Sequence, residues 1–252
     1  MDQQAASEII VITGAGSGMG RDIAVDQAAR GRHAVLVGRR LEPLQETAAA
    51  ISPALSTVVA ADVSTREGAA QVREALAGRP VTGFVANAGG QGDFKDYNGD
   101  LEHAEDAWEQ ALRKNFYSAM LPIEALLPHM VDQLGRIVLI GSTSGLDGRG
   151  GPYATAKAAL AGYGRELAVR AGARGITANT IAPGFVSDTE FFTSGGFGDS
   201  AAFVDQVAAQ TLVGRVGAPA DVTSAVRWLL GDDAGWVTGQ TIVVSGGTDM
   251  AR

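Results

Sequence analysis

Seven short apolar runs punctuate the chain: Ile9–Thr13, Ala34–Gly38, Thr57–Ala61, Gly83–Ala86, Arg136–Gly141, Ala178–Ile181 and Thr241–Ser245. They are apolar at consecutive rather than alternate positions, the pattern of strands covered on both faces. Between them apolar positions recur at helical spacing, in Ser17–Arg30, Arg66–Ala77, Leu101–Gln133, Tyr153–Ala173 and Ala220–Leu230. Repeated β–α order predicts an α/β fold, a doubly wound, seven-stranded parallel sheet with right-handed crossovers. No linker, repeat or low-complexity block breaks the rhythm, so residues 1–252 read as a single domain. One stretch departs from it. Phe185–Gln210 contains the glycine-rich run Thr193–Gly198 and Phe191, Phe192, Phe197 and Phe203. A long connection of this kind reads as an active-site lid, with a mobile surface loop as the plainer alternative.

Composition narrows the function classes. Apolar residues make up 46% and charged residues 19%, as in a globular chain. Lys plus Arg is 20 against 28 Asp plus Glu, a net charge of −8, which argues against a nucleic-acid partner. There is no cysteine, so disulfides, thiolate metal sites and thiol catalysis are excluded. The polar start Met1–Glu8 does not read as a signal peptide, and no apolar run reaches the roughly 20 residues that span a bilayer. The expectation is a soluble, cytoplasmic protein without a membrane partner. His33, His103 and His129 lack ligand-type spacing, so no metal site is expected.

The first run leads into Thr13-Gly14-Ala15-Gly16-Ser17-Gly18-Met19-Gly20. Met19 spoils G-x-G-x-x-G, and the stretch reads as T-G-x-x-x-G-x-G. The physics is shared: glycines let the backbone approach a pyrophosphate, whose charge sits at the N-terminus of the following helix. The second run ends Gly38-Arg39-Arg40. An NAD site usually places an acid here against the adenosine ribose. This chain has two guanidinium forks instead, which suit a 2′-phosphate. NADP(H) is therefore favoured, the alternative being two solvated arginines.

Tyr153 and Lys157 are four residues apart, on one face of a helix. A free tyrosine is protonated at neutral pH, and a fixed ammonium nearby favours its phenolate. Such a phenol can exchange a proton with a carbonyl or alcohol oxygen. Ser142 follows the C-terminal end of the fifth run, the edge where open α/β sheets bind ligands, and its hydroxyl could reach the same substrate oxygen. Turn chemistry in Ser142–Gly145 is its other reading. The acids Asp100, Glu102, Glu105, Asp106 and Glu109 read as a solvated helix start, and Trp108 and Trp228 as packing residues.

These motifs fall in one order with Asp62-Val63, Asn87-Ala88-Gly89, Lys114-Asn115 and Pro183-Gly184. From Ile9 to Gly247 the chain resembles the short-chain dehydrogenase/reductase family in its single-domain Rossmann form, and within it the 3-oxoacyl-carrier-protein reductase-like ketoreductases. The resemblance implies direct hydride transfer between NADP(H) and a carbonyl compound. Tyr153 is then the general acid in reduction and the base in oxidation. Lys157 lowers its pKa and holds the nicotinamide ribose, Ser142 polarises the carbonyl, and Asn115 supports a water that relays protons to Lys157. Cofactor contacts are implied for Gly14, Ser17, Gly18, Met19, Gly20, Arg39, Arg40, Asp62, Val63, Asn87, Ala88, Gly89, Tyr153, Lys157, Pro183, Gly184 and Val186. Asp62-Val63 would meet the adenine edge and Val186 the carboxamide. A homotetramer is also implied, with Leu101–Gln133, Tyr153–Ala173 and the last strand as contact surfaces.

Four features depart from the family's common pattern. Ser17 stands where many NADP(H) members carry a basic residue, so the 2′-phosphate case rests on Arg39 and Arg40. The interval from Ser142 to Tyr153 is short, the threonine after Pro183-Gly184 is displaced to Thr189, and Ser245 replaces a common Asp. The functional expectation is an NADPH-dependent carbonyl reductase, working reversibly as a secondary-alcohol dehydrogenase on an apolar or aromatic ketone or 3-oxoacyl compound. The alternatives are an NAD-dependent dehydrogenase and a nucleotide sensor without turnover.

Overall fold

A computed structural model describes residues 8–91, 99–187 and 201–250. Seven strands form one all-parallel sheet: β1 Ile9–Thr13, β2 His33–Gly38, β3 Ser56–Ala60, β4 Gly83–Ala86, β5 Arg136–Ile140, β6 Thr177–Pro183 and β7 Thr241–Val244. Their order is β3-β2-β1-β4-β5-β6-β7, so the strand order reverses between β1 and β4. That reversal opens a crevice at the C-terminal ends of those two strands, where doubly wound sheets bind ligands.

The helices are α1 Gly18–Ala29, α2 Leu41–Ala49, α3 Arg66–Ala75, α4 Leu101–Leu112, α5 Ser118–Leu126, α6 Ser144–Asp147, α7 Gly151–Gly172, α8 Ala201–Ala208 and α9 Pro219–Leu229. Successive residues of β1 serve opposite layers. Ile9 and Val11 join Val35, Phe84, Leu139 and Leu160 on one face, while Ile10 and Ile12 join Ile23, Leu36, Val138 and Val226 on the other. Each such side chain contributes about 1.5–3 kcal/mol by leaving water. This double coverage is why the strands read as unbroken apolar runs.

Three expectations need correction. The single helix read over Leu101–Gln133 is broken: a π-helical turn, Arg113–Tyr117, separates α4 from α5, and a 3₁₀ turn at Leu127–His129 ends the unit. Trp108 and Trp228 are not core residues; they are 40% and 43% exposed, because α4 turns Ala107 and Ala111 inward and α9 turns Val222, Val226 and Leu229 inward. The stretch read as a long connection contains α8, whose Phe203 packs edge-on against Phe185 with centroids 5.6 Å apart. Thr189, Phe191, Phe192 and Thr193–Gly198 lie outside the described residues.

Candidate active site

The glycine-rich turn is held open by its neighbours. Gly14 adopts φ +69°, a left-handed conformation that favours glycine. A Cβ on Gly20 would stand 2.1 Å from the Gly14 carbonyl oxygen and 2.6 Å from Asn87 Nδ2, so α1 can approach the turn only with hydrogen there. Thr13 ties the turn to β4: the Asn87 and Ala88 N–H groups both donate to its Oγ1 at 3.0 Å. Asn87 Nδ2 donates back to the Thr13 carbonyl at 3.1 Å. Thr47 of α2 donates to the Ala15 carbonyl and Arg21 to the Gly16 carbonyl, at 2.9 and 2.8 Å. Ser17 is the N-cap of α1 by position but makes no side-chain cap, and no acid lies in the first turn. The N–H groups of Gly18, Met19 and Gly20 therefore begin the helix without a side-chain acceptor, an arrangement that fits a pyrophosphate.

Beyond the ends of β2 and β3, a recess of about 370 Å³ is lined by Arg39, Ala61, Asp62, Thr65 and Gly68. Arg39 and Arg40 are exposed, with Arg40 at the N-cap of α2. Burial pushes the Asp62 carboxyl up, but hydrogen bonds from the Ser64 hydroxyl and N–H, with the charges of Arg39 and Arg113, hold it below its ordinary value. Val63 is buried beside it.

Four residues named as catalytic converge past β4 and β5. Tyr153 and Lys157 lie in the first two turns of α7, both buried, with the ammonium 5.9 Å from the centre of the phenol ring. Ser142 stands two residues beyond β5, where its hydroxyl favours the Tyr153 phenolate. Its Oγ also accepts from the Ser144 N–H at 3.2 Å. Lys157 Nζ donates to the Ile140 carbonyl at 2.8 Å. Burial pushes the Tyr153 phenol up to about 12, with the Ser142 hydroxyl pulling the other way. Burial likewise pushes Lys157 down to about 8. In the chain alone, desolvation thus outweighs the lowering of the phenol by Lys157 that the spacing implied.

Asn115 sits fully buried in the π-helical turn. Its Oδ1 accepts from the Gly90 N–H at 3.0 Å, and its Nδ2 donates to the Ala111 carbonyl at 3.1 Å. A Cβ on Gly89 would meet Asn115 Oδ1 at 2.8 Å and Lys157 Nζ at 3.2 Å, so glycine keeps these groups in one space. At the end of β6, Gly184 abuts Ser245, whose Oγ donates to the Asp249 carbonyl at 3.1 Å. Ser245 thus closes the C-terminal turn behind Pro183-Gly184. Val186 pairs with Gly217 through the flanking Ser187 N–H and Phe185 carbonyl, which turns its own peptide groups to the opposite side.

Some positioning residues escaped the sequence. Gly145 lets α6 lie on α7: a Cβ there would stand 2.8 Å from the Ala158 nitrogen and 2.9 Å from the Lys157 carbonyl carbon. Thr47 carried no motif at all. Neither has a signal short of the folded contact. His33 does not join the site; it lies at the opposite end of β2, against Ala54 and Thr57.

Residues 14–249 match a family model described as enoyl-(acyl carrier protein) reductase. The chain is 35% identical to the 3-oxoacyl-[acyl-carrier-protein] reductase of Aggregatibacter actinomycetemcomitans, over 96% of this chain and 99% of that protein. A 3-oxoacyl-[acyl-carrier protein] reductase from Brucella melitensis with bound NAD superposes with TM-score 0.83, at 28% identity, over 98% of this chain and 93% of that one. L-sorbose reductase from Gluconobacter frateurii, complexed with NADPH and L-sorbose, superposes with TM-score 0.87, at 26% identity, over the whole of both chains. With the seven-stranded parallel sheet, these relationships place the chain in the short-chain dehydrogenase/reductase family of NAD(P)-dependent oxidoreductases.

Proposed function

We propose that this chain is an NADPH-dependent carbonyl reductase, reversibly a secondary-alcohol dehydrogenase, with Tyr153 as its general acid and base. The observation that carries the reading is the convergence of four side chains: Ser142 acts on the Tyr153 phenol, the Lys157 ammonium lies 5.9 Å from the centre of its ring, and Asn115 stands beside Gly89. When bound, the dinucleotide supplies a hydride to the carbonyl carbon. The protein's task is then to hold the carbonyl oxygen and deliver a proton to it. Ser142 and Tyr153 present two hydroxyls to that oxygen. Burial keeps the phenol protonated at neutral pH, the state a general acid needs. Lys157 holds the nicotinamide ribose and offsets negative charge as the proton leaves Tyr153 Oη. Asn115 fixes the Gly89–Gly90 loop and supports the water that returns a proton through Lys157.

The remaining cofactor contacts are assigned along the crevice. Gly14 and the first turn of α1, Ser17–Gly20, receive the pyrophosphate. Arg39 and Arg40 take the 2′-phosphate, and Asp62-Val63 meets the adenine. Asn87–Gly89 lines the middle, and Pro183, Gly184 and the Val186 peptide groups border the nicotinamide. The substrate is an apolar or aromatic ketone or a 3-oxoacyl compound. The pairing of Phe185 with Phe203 beside the site and the names of the relatives support that class. Four copies assemble through α4, α5, α7 and β7.

A panel of such ketones with NADPH tests the activity: turnover is expected, and tight cofactor binding without turnover contradicts it. Arg39→Ala tests the cofactor choice. It is expected to weaken NADPH binding about tenfold or more and to spare NADH. An unchanged NADPH affinity would favour the NAD-dependent alternative, in which both arginines stay in solvent.

A further inference from the structure

The turn after β2 carries Arg39 and Arg40 where an acid would meet the adenosine ribose of NAD. The fold brings an acid to the same recess from another element. The space of about 370 Å³ beyond β2 and β3 is lined by Arg39, which follows β2, by Asp62, which follows β3, and by Glu67 in the first turn of α3. Hydrogen bonds fix these three segments against one another. The Ala61 N–H donates to the Gly38 carbonyl at 2.8 Å, which ties the end of β3 to the residue before Arg39. Thr65 Oγ1 donates to the Asp62 carbonyl at 2.8 Å and, as the N-cap of α3, accepts from the Gly68 N–H at 3.0 Å. A Cβ on Gly68 would collide with the Asp62 carbonyl, so α3 starts this close to Asp62 only because residue 68 is glycine. Glu67, one residue earlier, is thereby held at the recess. The Asp62 carboxylate is engaged by the Ser64 N–H and hydroxyl, at 3.0 and 2.7 Å. Among the described residues, Glu67 and Arg39 form no ion pair with each other or with any other group.

The recess thus offers one guanidinium and two carboxylates to whatever enters it. Like charges a few ångströms apart repel even in water, and more strongly where a ligand displaces part of that water. A dianionic 2′-phosphate drawn in by Arg39 meets that repulsion. The neutral 2′-hydroxyl of NADH does not. Asp62 spends its charge on Ser64, which leaves the Glu67 carboxylate as the less compensated of the two acids. We propose that Glu67 is a cofactor-specificity residue that works against Arg39, reducing the preference for NADPH over NADH by repelling the 2′-phosphate. The inference rests on the reading that places the 2′-phosphate beside Arg39. It moves part of the cofactor choice from the turn after β2 to α3.

Dissociation constants of NADPH, NADH, adenosine 2′,5′-bisphosphate and AMP, measured by calorimetry on the full chain, test it without any need for turnover. Glu67→Gln is expected to tighten NADPH and the bisphosphate about fivefold at low salt while leaving NADH and AMP within about twofold. The gain is expected to shrink at high salt, where the charge is screened. Glu67→Asp, which keeps the charge, is expected to stay close to the parent. An equal change in all four ligands on Glu67→Gln overturns the proposal, since Glu67 would then act only by supporting the start of α3. Unchanged binding of all four overturns it as well. So does a weakening of NADH with NADPH unchanged, which would make Glu67 an acceptor for the ribose. Arg39→Ala separates the two levels. If it lowers the preference for the 2′-phosphate while Glu67→Gln leaves that preference unchanged, the Glu67 inference falls and the NADPH reading stands. If neither substitution changes it, the recess is not the phosphate site and both fall.

Discussion

Lys157 is a desolvated ammonium whose principal compensation in the chain is one hydrogen bond to the Ile140 carbonyl. Its pKa falls from 10.5 to about 8, so between those values the unfolded chain binds more protons than the folded one. Stability contributed by this site therefore rises with pH across that window and is lowest below about 8. Lys157→Met is expected to stabilise the fold at pH 7 by roughly 1–3 kcal/mol while abolishing turnover. Thermal unfolding of both proteins at pH 7 and pH 10 checks this: the advantage of the variant should shrink at the higher pH. A variant less stable than the parent at pH 7 would show that the Ile140 hydrogen bond outweighs desolvation. That Tyr153, Lys157 and Ser142 lie together was legible in the sequence, because the proposed chemistry constrains both their type and their spacing. The sequence did not reveal that burial acts more strongly on the phenol than its cation does. That balance depends on how completely α7 and β5 exclude water.

At the scale of elements, the turn between β1 and α1 depends on absent atoms. Gly20→Ala puts a methyl group against the Gly14 carbonyl and Asn87, and the turn or the helix has to give way. The expected outcome is about 1–3 kcal/mol of destabilisation and a loss of at least tenfold in dinucleotide affinity. Denaturant melts and fluorescence titration measure the two together; a variant that binds as the parent does would remove α1 from the site. The inner strands were legible because both faces of each are buried, whereas the edge strands β3 and β7 are only partly covered and were read from their apolar runs alone. The interruption at Arg113–Tyr117 was not legible. A π-helical turn adds one residue to the ladder and leaves the apolar spacing nearly intact, so Leu101–Gln133 reads as continuous. At that turn the Asn115 amide meets both the Gly90 N–H and the Ala111 carbonyl. The contact with Gly90 joins residues 25 apart, and no local pattern encodes it.

For the whole molecule, the outward apolar residues matter most. Trp236 is 99% exposed just before β7, Val169 is exposed on α7, and Leu101 and Trp108 are exposed on α4. Val169, Leu101 and Trp108 lie on the proposed contact elements and Trp236 precedes one, a distribution that fits the proposed assembly. Sedimentation equilibrium is expected to give four copies of the 25.8-kDa chain, and Val169→Glu to shift the distribution towards smaller species. A parent chain that sediments as a monomer would leave these surfaces unexplained. The sequence reading of Trp108 as core failed for the same reason: helical spacing identifies a face, not what covers it. In the proposed reaction, catalysis turns on one proton. Tyr153→Phe keeps the ring that fills its buried position and removes the hydroxyl. With the cofactor affinity measured alongside, NADPH oxidation by a ketone turned over by the parent should fall by about 10²–10⁴-fold while the dissociation constant stays within about twofold. Turnover undiminished at unchanged affinity would mean that another group supplies the proton.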